Sequence, residues 1–289
     1  MSAVADATVR AVLADFAAGR EALAAGITVA ALSGGIENHS CRVSSAAGDW
    51  VLRIAGARDA RFAINRVAEL QVQTLAAERG FAPAVVHADA ARGILVSRYL
   101  EGSVWTRQQA RSPDGIRILG ARLAQLHSLE PPRNIRRVNV HDVLAHYLEL
   151  PAVAAAPISR ADIAARLRWS LATYRAPPPA LCHNDLHHLN VIGNAPPYFV
   201  DWEYAGVGDP VFELAAVIGS HDLDADQRDV LLASHGGGFV PAHVTRMCLV
   251  FDCLHALWLD AADGWNSLST ERLAALTDRL TIDPAERRR

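Results

Sequence analysis

The sequence predicts an α+β protein of two lobes, a small β-rich first lobe and a larger, mostly helical second one. Three observations carry this reading. Apolar runs punctuated by glycine and aspartate recur between residues 27 and 98, with one helical stretch among them. Helical spacing dominates from residue 115 onward. The texture changes near 99–102, which divides the chain into an N-terminal lobe over 1–101 and a C-terminal lobe over 102–289.

Taken in order, residues 3–24 read as one amphipathic, alanine-rich helix. Three strands follow. The first is 27–32; Ser33-Gly34-Gly35 then leads to a return run at 39–44, and a turn at Ala47-Gly48-Asp49 leads to 50–54. Ile64, Val67, Ala68, Leu70, Val72 and Leu75 space a helix over 61–79 that stops at Gly80. Strands at 84–88 and 93–98 complete a β-β-β-α-β-β order. In the second half, Ile116, Leu119, Leu123 and Leu126 mark a helix over 115–129, ended by Pro131-Pro132. Further helical patterns lie near 141–149, 160–174, 224–234, 241–262 and 270–280. Residues 181–201 read as strand and loop, with Pro196-Pro197 turning within them.

Composition removes several function classes. The chain has 289 residues and no lysine, so all 28 basic residues are arginine; they face 31 carboxylates for a net charge of −3. There is no basic excess for nucleic acid. With 51% apolar and 20% charged residues the chain is not disordered. Schiff-base chemistry is excluded without an ε-amine, and phosphate binding falls to arginine. Cys41, Cys182, Cys248 and Cys253 are widely spaced and suit neither a disulfide framework nor a structural zinc site. The first 26 residues are broken by Asp6, Arg10, Asp15, Arg20 and Glu21, unlike a secretory leader, and no apolar run reaches membrane-spanning length. A cytoplasmic protein with no membrane partner is expected. Residues 1–101 hold 10 arginines and 10 carboxylates, leaving 18 and 21 for 102–289. That mildly acidic second half suits a cationic small molecule, and equally an ordinary solvated helix surface.

The chemistry concentrates in Leu181-Cys-His-Asn-Asp-Leu-His-His-Leu-Asn190 and Tyr198-Phe-Val-Asp201-Trp-Glu-Tyr204. Phosphoryl transfer from ATP needs a carboxylate that accepts the proton of the attacking hydroxyl. It also needs an amide oxygen and a second carboxylate to hold Mg²⁺ against the phosphates. His183-x-Asp185-x4-Asn190 supplies the first carboxylate and the amide at kinase spacing, and Asp201 ends an apolar run as the metal carboxylate should. Upstream, Leu32-Ser33-Gly34-Gly35-x-x-Asn38 offers a glycine turn whose N–H groups can approach phosphates. Arg53 in Val51-Leu-Arg-Ile54 is the cation on the third strand, and Glu69 on the next helix is its expected partner.

These residues resemble the choline kinase and aminoglycoside phosphotransferase superfamily, whose fold is protein-kinase-like. The similarity runs from about 27 to about 262 and includes Asn65-Arg-x-x-Glu69, Gly80-x-x-Pro83, Tyr99-Leu-Glu-Gly102 and Leu126-His-Ser-Leu129. Gly208-Asp209-Pro210-x-Phe212-Glu213-Leu214-Ala215 looks like the segment that buttresses the catalytic loop, with Glu213 where Asp is usual. The resemblance implies ATP and Mg²⁺ as cofactors, Asp185 as catalytic base, and Asn190 and Asp201 as metal ligands. It implies Arg53 and Glu69 as the phosphate-anchoring pair, with Ser33, Gly34, Gly35 and Asn38 over the phosphates. Adenine would lie against the backbone of 97–101, including Tyr99 and Glu101. Cys182-His-Asn-Asp-Leu186 and Arg53 look like the choline/ethanolamine and thiamine kinase branch, so the expected acceptor is the hydroxyl of a small alcohol, choline, ethanolamine or a related amino alcohol. Thiamine, an aminoglycoside or a sugar are the alternatives.

A quaternary ammonium needs aromatic faces and a carboxylate. Trp202, Glu203 and Trp258 are the leading candidates, with Tyr204, Trp265, Asp252, Asp260 and Asp263 behind them. A reading from another class also stands at this point: His183, Asp185, His187 and His188 could hold zinc in a hydrolase.

Overall fold

A computed structural model describes residues 6–32, 38–56, 59, 61–150, 165, 167, 170–172, 174–263 and 275–276. The expected helices near 160–174 (in large part) and 270–280, and the Ser33-Gly34-Gly35 turn, lie outside the described residues. The chain forms two compact units. The first holds the described residues up to Asp59, Ile64–Trp105 and Leu189–Glu203; the second holds those of Ala60–Ala63, Thr106–His188 and Tyr204–Arg289.

In the first unit, β1 (Thr28–Leu32), β2 (His39–Ser45), β3 (Gly48–Ile54), β4 (Val85–Asp89) and β5 (Ile94–Arg98) form one antiparallel sheet in the order β1-β2-β3-β5-β4. Inward residues Cys41, Val43, Trp50, Leu52, Ile94 and Val96 form a core with Val9, Val12, Leu13 and Ala22 of two short helices. Those helices, α1 (Asp6–Ala14) and α2 (Ala17–Ala25), correct the single helix expected over 3–24. The break falls at Phe16, which is extended. Its ring stacks on His87 at 4.8 Å and meets Trp50 edge-on at 6.0 Å. Tertiary packing of one aromatic thus overrides local helix propensity. Gly19 makes the tight return feasible, because a Cβ there would lie 2.1 Å from the Leu13 carbonyl oxygen. Helix α3 (Arg66–Glu78) starts later than expected because Asn65 caps it, its side chain accepting from the Ala68 N–H at 3.0 Å.

Residues 189–203 fold with this first unit through a two-stranded ladder of β7 (Val191–Ile192) and β8 (Tyr198–Phe199). Hydrogen bonds from Trp105 to Val191 and Gly193, from Gly193 to Ser103, and from Phe199 to Phe81 pin it.

The second unit is helical: α4 (Arg107–Arg111), α5 (Pro113–His127), α6 (Val140–Glu149), α7 (Pro210–His221), α8 (Ala225–His235) and α9 (Pro241–Asp263), with a small ladder of β6 (Ala180–Cys182) and β9 (Gly206–Gly208). Helices α4 and α7 were not foreseen. Helix α7 is buried on nearly every side, so it lacks the one-sided apolar period by which a helix is read. Its start was nevertheless written in Asp209-Pro210, an N-cap followed by proline at the first turn. Helix α4 is five residues long and is signalled only by its Thr106–Gln109 capping box. Among the described residues no helix is long and apolar enough to cross a membrane.

Leu13 is fully buried between α1 and the sheet. Leu13→Ala should lower unfolding stability by about 2–5 kcal/mol, read as a lower urea midpoint at unchanged slope. An unaltered midpoint would mean that α1 is not integral to the first unit.

Candidate active site

The sheet of the first unit presents Arg53 from β3, with its side chain 11% exposed. One guanidinium nitrogen lies 2.5 Å from Glu69, and another donates to Asp201 Oδ1 at 2.8 Å. Glu69 projects from α3 and is 2% exposed. Burial pulls the Arg53 pKa down, but Glu69 and Asp201 outweigh it and hold the group above its ordinary value. The expected pair is therefore formed, and Asp201 shares it.

A second arginine, at the start of α3, completes the cluster. Arg66 donates to Glu69 and Glu203 at 2.9 Å, to Asp59 at 2.6 and 2.8 Å, and to Asn38 at 3.0 Å. Asn38 in turn donates to Glu203 at 2.9 Å. Burial and the Asp201 carboxylate push Glu203 up to about 7, against the opposing pull of Arg53, Asn38 and Arg66. Asp201 adopts φ +66°, the left-handed region that short polar residues tolerate. Asn190 ends a 3₁₀ turn (His188–Asn190), is 6% exposed, and accepts the Val200 N–H on its carbonyl at 3.0 Å.

In the second unit, β6 delivers His183, Asn184 and Asp185. The carboxylate of Glu213, fully buried on α7, accepts the backbone N–H groups of His183 at 2.6 Å and Asn184 at 2.9 Å. Burial alone would raise Glu213; the bond to His127, nearby histidine charge and the Asn184 N–H hold it below its ordinary value. Asn184 turns the chain at φ +66° and its amide donates to the Tyr204 carbonyl at 3.1 Å. The Asp185 side chain, 36% exposed, stands 3.8 Å from His187. That is too long for a hydrogen bond. His187 is pushed down to about 4, first by burial and then by His183, His188, His221 and His255, so it stays neutral at pH 7.

The remaining expectations divide. Trp202, expected to line a substrate pocket, is fully buried in the first unit and its indole N–H donates to the Phe199 carbonyl at 2.9 Å. Glu203, expected beside it, is engaged by Arg66 and Asn38. Trp258, on α9, donates its indole N–H to the Tyr204 hydroxyl at 3.1 Å and packs on Phe62 with ring centroids 5.5 Å apart. Tyr99 lies under the Arg42 guanidinium at 3.8 Å, and Glu101 is 3.9 Å from the same group with its side chain 85% exposed. Arg98 and Tyr99 already donate their N–H groups to Ala84 and Asp49. Among the described residues, two sets of side chains converge closely enough for a metal, Glu69/Asp201/Glu203 and His127/Cys182/Glu213. The zinc reading of His183, Asp185, His187 and His188 is corrected on that ground: their donor atoms do not form such a set.

The comparisons with known proteins agree with this geometry. The family model described as the phosphotransferase enzyme family (APH) matches residues 28–246. The chain belongs to that family, and its fold is protein-kinase-like. A choline/ethanolamine kinase family protein from Mesorhizobium loti superposes with a TM-score of 0.73 at 25% identity, covering 96% of this chain and 95% of that one. Choline kinase LicA from Streptococcus pneumoniae gives a TM-score of 0.74 at 18% identity, covering 90% and 96%. A LicA homolog of Metamycoplasma hominis is 40% identical over 80 residues; that match spans 27% of this chain and 32% of the relative.

Removing the cation from the first-unit cluster leaves buried carboxylates facing one another. Arg53→Ala should therefore destabilise by about 3 kcal/mol in chemical denaturation. Arg53→Lys should lose less, because one ammonium can still reach one carboxylate. Equal stability of the alanine variant and wild type would remove the ion pair from the fold's support.

Proposed function

We propose that the enzyme transfers the γ-phosphate of ATP to the hydroxyl of a small amino alcohol, choline or ethanolamine before thiamine, an aminoglycoside or a sugar. The observation that carries the reading is Arg53 bound to Glu69 and Asp201 together. A phosphate-anchoring cation on the third strand and the metal carboxylate are parts that phosphoryl transfer requires side by side. The amino-alcohol preference is supported by the choline and ethanolamine kinases among the structural relatives. It is supported too by the paired, half-buried Trp258 and Tyr204 of the second unit, aromatic side chains of the kind that suit a quaternary ammonium.

In this mechanism Asp185 orients the acceptor hydroxyl and takes its proton as the oxygen attacks in line. Arg53 steadies the phosphates while Glu69 keeps it aimed. Ser33, Gly34, Gly35 and Asn38 are assigned to the phosphates from the sequence, and the backbone around 97–101 to adenine, with 100 and 101 favoured because the N–H groups of 98 and 99 are already committed. Asn190 and Asp201 would hold Mg²⁺. The donor chemistry fits a hard cation: the Asn190 amide and the Asp201 carboxylate both offer oxygen, and Glu69 and Glu203 place further carboxylate oxygens close to Asp201. The charge fits as well: Arg53 and Arg66 face the four carboxylates Asp59, Glu69, Asp201 and Glu203. When bound, the ion neutralises charge on the β- and γ-phosphates. The four cysteines are free thiols, in keeping with a reducing compartment such as the cytoplasm.

With Mg²⁺ and ATP, wild type should consume ATP in the presence of choline or ethanolamine. Asp185→Ala should lower kcat by about 10²–10⁴-fold and leave the Kd for ATP within a factor of two. A variant that kept wild-type kcat would remove Asp185 from the chemistry.

A further inference from the structure

We propose that His235, at the end of α8, is a positioning residue for the catalytic loop and acts on it through His127 and Glu213. The loop contact stands on geometry alone; its kinetic consequence rests on the phosphotransferase reading above.

Three links make the path. Glu213 accepts the N–H groups of His183 and Asn184 with one oxygen. Its other oxygen lies 2.5 Å from His127 Nε2. His127 Nδ1 lies 2.8 Å from His235 Nε2. Each pair is close enough to hydrogen-bond, and the two shortest are tighter than the ordinary N–H···O distance. Since a carboxylate can only accept, His127 Nε2 must carry a proton, and one further proton sits between the two imidazoles. His235 is pushed down to about 4, by burial first and by His127 next, so it stays neutral at pH 7. Its Nδ1 is buried without a hydrogen-bond partner. The ring thus leaves one nitrogen unsatisfied while keeping Nε2 on His127, so the Nε2 contact sets its orientation.

The backbone is shaped for this contact. Gly120 lies two turns before His127, on the same face of α5. A Cβ at Gly120 would stand 2.7 Å from the Leu231 carbonyl oxygen, 2.8 Å from Ser234 Cβ and 3.2 Å from the His235 nitrogen. The last turn of α8 therefore rests directly on the α5 backbone, which brings His235 to His127. At the other end of the path, the two N–H groups held by Glu213 immediately precede Asp185. Releasing His127 lets the Glu213 carboxylate turn, and the loop loses the acceptor that fixes the left-handed Asn184.

The test compares side chains that differ in where they place a polar atom. Gln places its amide near the His Nε2 position, Asn near Nδ1, and Leu fills the volume with no polar atom. Relative to wild type, His235→Leu and His235→Asn should lower kcat about tenfold with the KM for ATP within twofold, and His235→Gln should recover most of the loss. Amide hydrogen exchange at His183 and Asn184 should quicken about tenfold in the first two and return toward wild type in the third. Gly120→Ala should produce the same faster exchange by lifting α8, without altering any ring. Leu and Asn variants with wild-type kcat and exchange would overturn the proposal, and so would a Gln variant no better than Asn. Exchange is read without turnover, so a wild type inactive on every alcohol would sink the kinase reading and leave this one decided separately.

Discussion

The guanidinium of Arg53 is the constraint on which the first unit's chemistry depends. It sits in a buried strand, where an unpaired charge would be prohibitive. Its position is tolerable because Glu69 and Asp201 each take a separate nitrogen. An ammonium is a single point charge, whereas the planar fork serves two carboxylates at fixed angles. In a chain with no lysine, that fork ties the sheet, helix α3 and the segment after β8 into one charged cluster. Arg66 repeats the device one layer out, binding Asp59, Glu69, Glu203 and Asn38. The two cations do not cancel the carboxylates gathered around them, which leaves the cluster net negative.

Much of this was legible in the sequence, for identifiable reasons. The strands of the first unit announced themselves as short apolar runs punctuated by glycine and aspartate, and their observed bounds shift by one or two residues. Arg53, Glu69, Asp185, Asn190 and Asp201 could be nominated from sequence because phosphoryl transfer asks for those residue types in that order along the chain, and the structure brings Arg53, Glu69 and Asp201 together. What escaped was set by packing. Phe16 broke one helix into two to reach His87 and Trp50, which no local pattern encodes. Helix α7 lost its period because both faces are buried. Trp202 looked like a pocket wall from its place beside Asp201, yet its ring fills the core, and proximity in sequence carries no information about which way a side chain turns. Arg66 was visible in Asn65-Arg-x-x-Glu69, but its reach to Glu203 crosses 137 positions and only tertiary structure displays it.

The loop that carries His183, Asn184 and Asp185 in the second unit depends on a different principle. Its backbone donors at His183 and Asn184 are turned inward, where each would otherwise lack a partner. One carboxylate satisfies both, and being buried it needs its own counterpart, which His127 supplies. The arm of Glu213 spans from α7 to the loop while keeping the second oxygen for His127. The loop is thus held by backbone contacts that leave the Asp185 side chain outside the clamp.

Both chemically important segments turn on a non-glycine residue in the left-handed region, Asn184 at φ +66° and Asp201 at φ +66°. Each conformation costs on the order of 1 kcal/mol for an L residue. Such strain persists only where surrounding contacts over-determine it. At Asn184 the contacts are Glu213 on its N–H and the Tyr204 carbonyl on its side chain. At Asp201 the contact is Arg53 on its carboxylate. Glycine would relieve the strain at either place, but it would remove the amide that anchors the first turn and the carboxylate that completes the second. The left-handed backbone and the side chain that holds it therefore fall on the same residue at each turn, and that coincidence explains why short polar side chains occupy both.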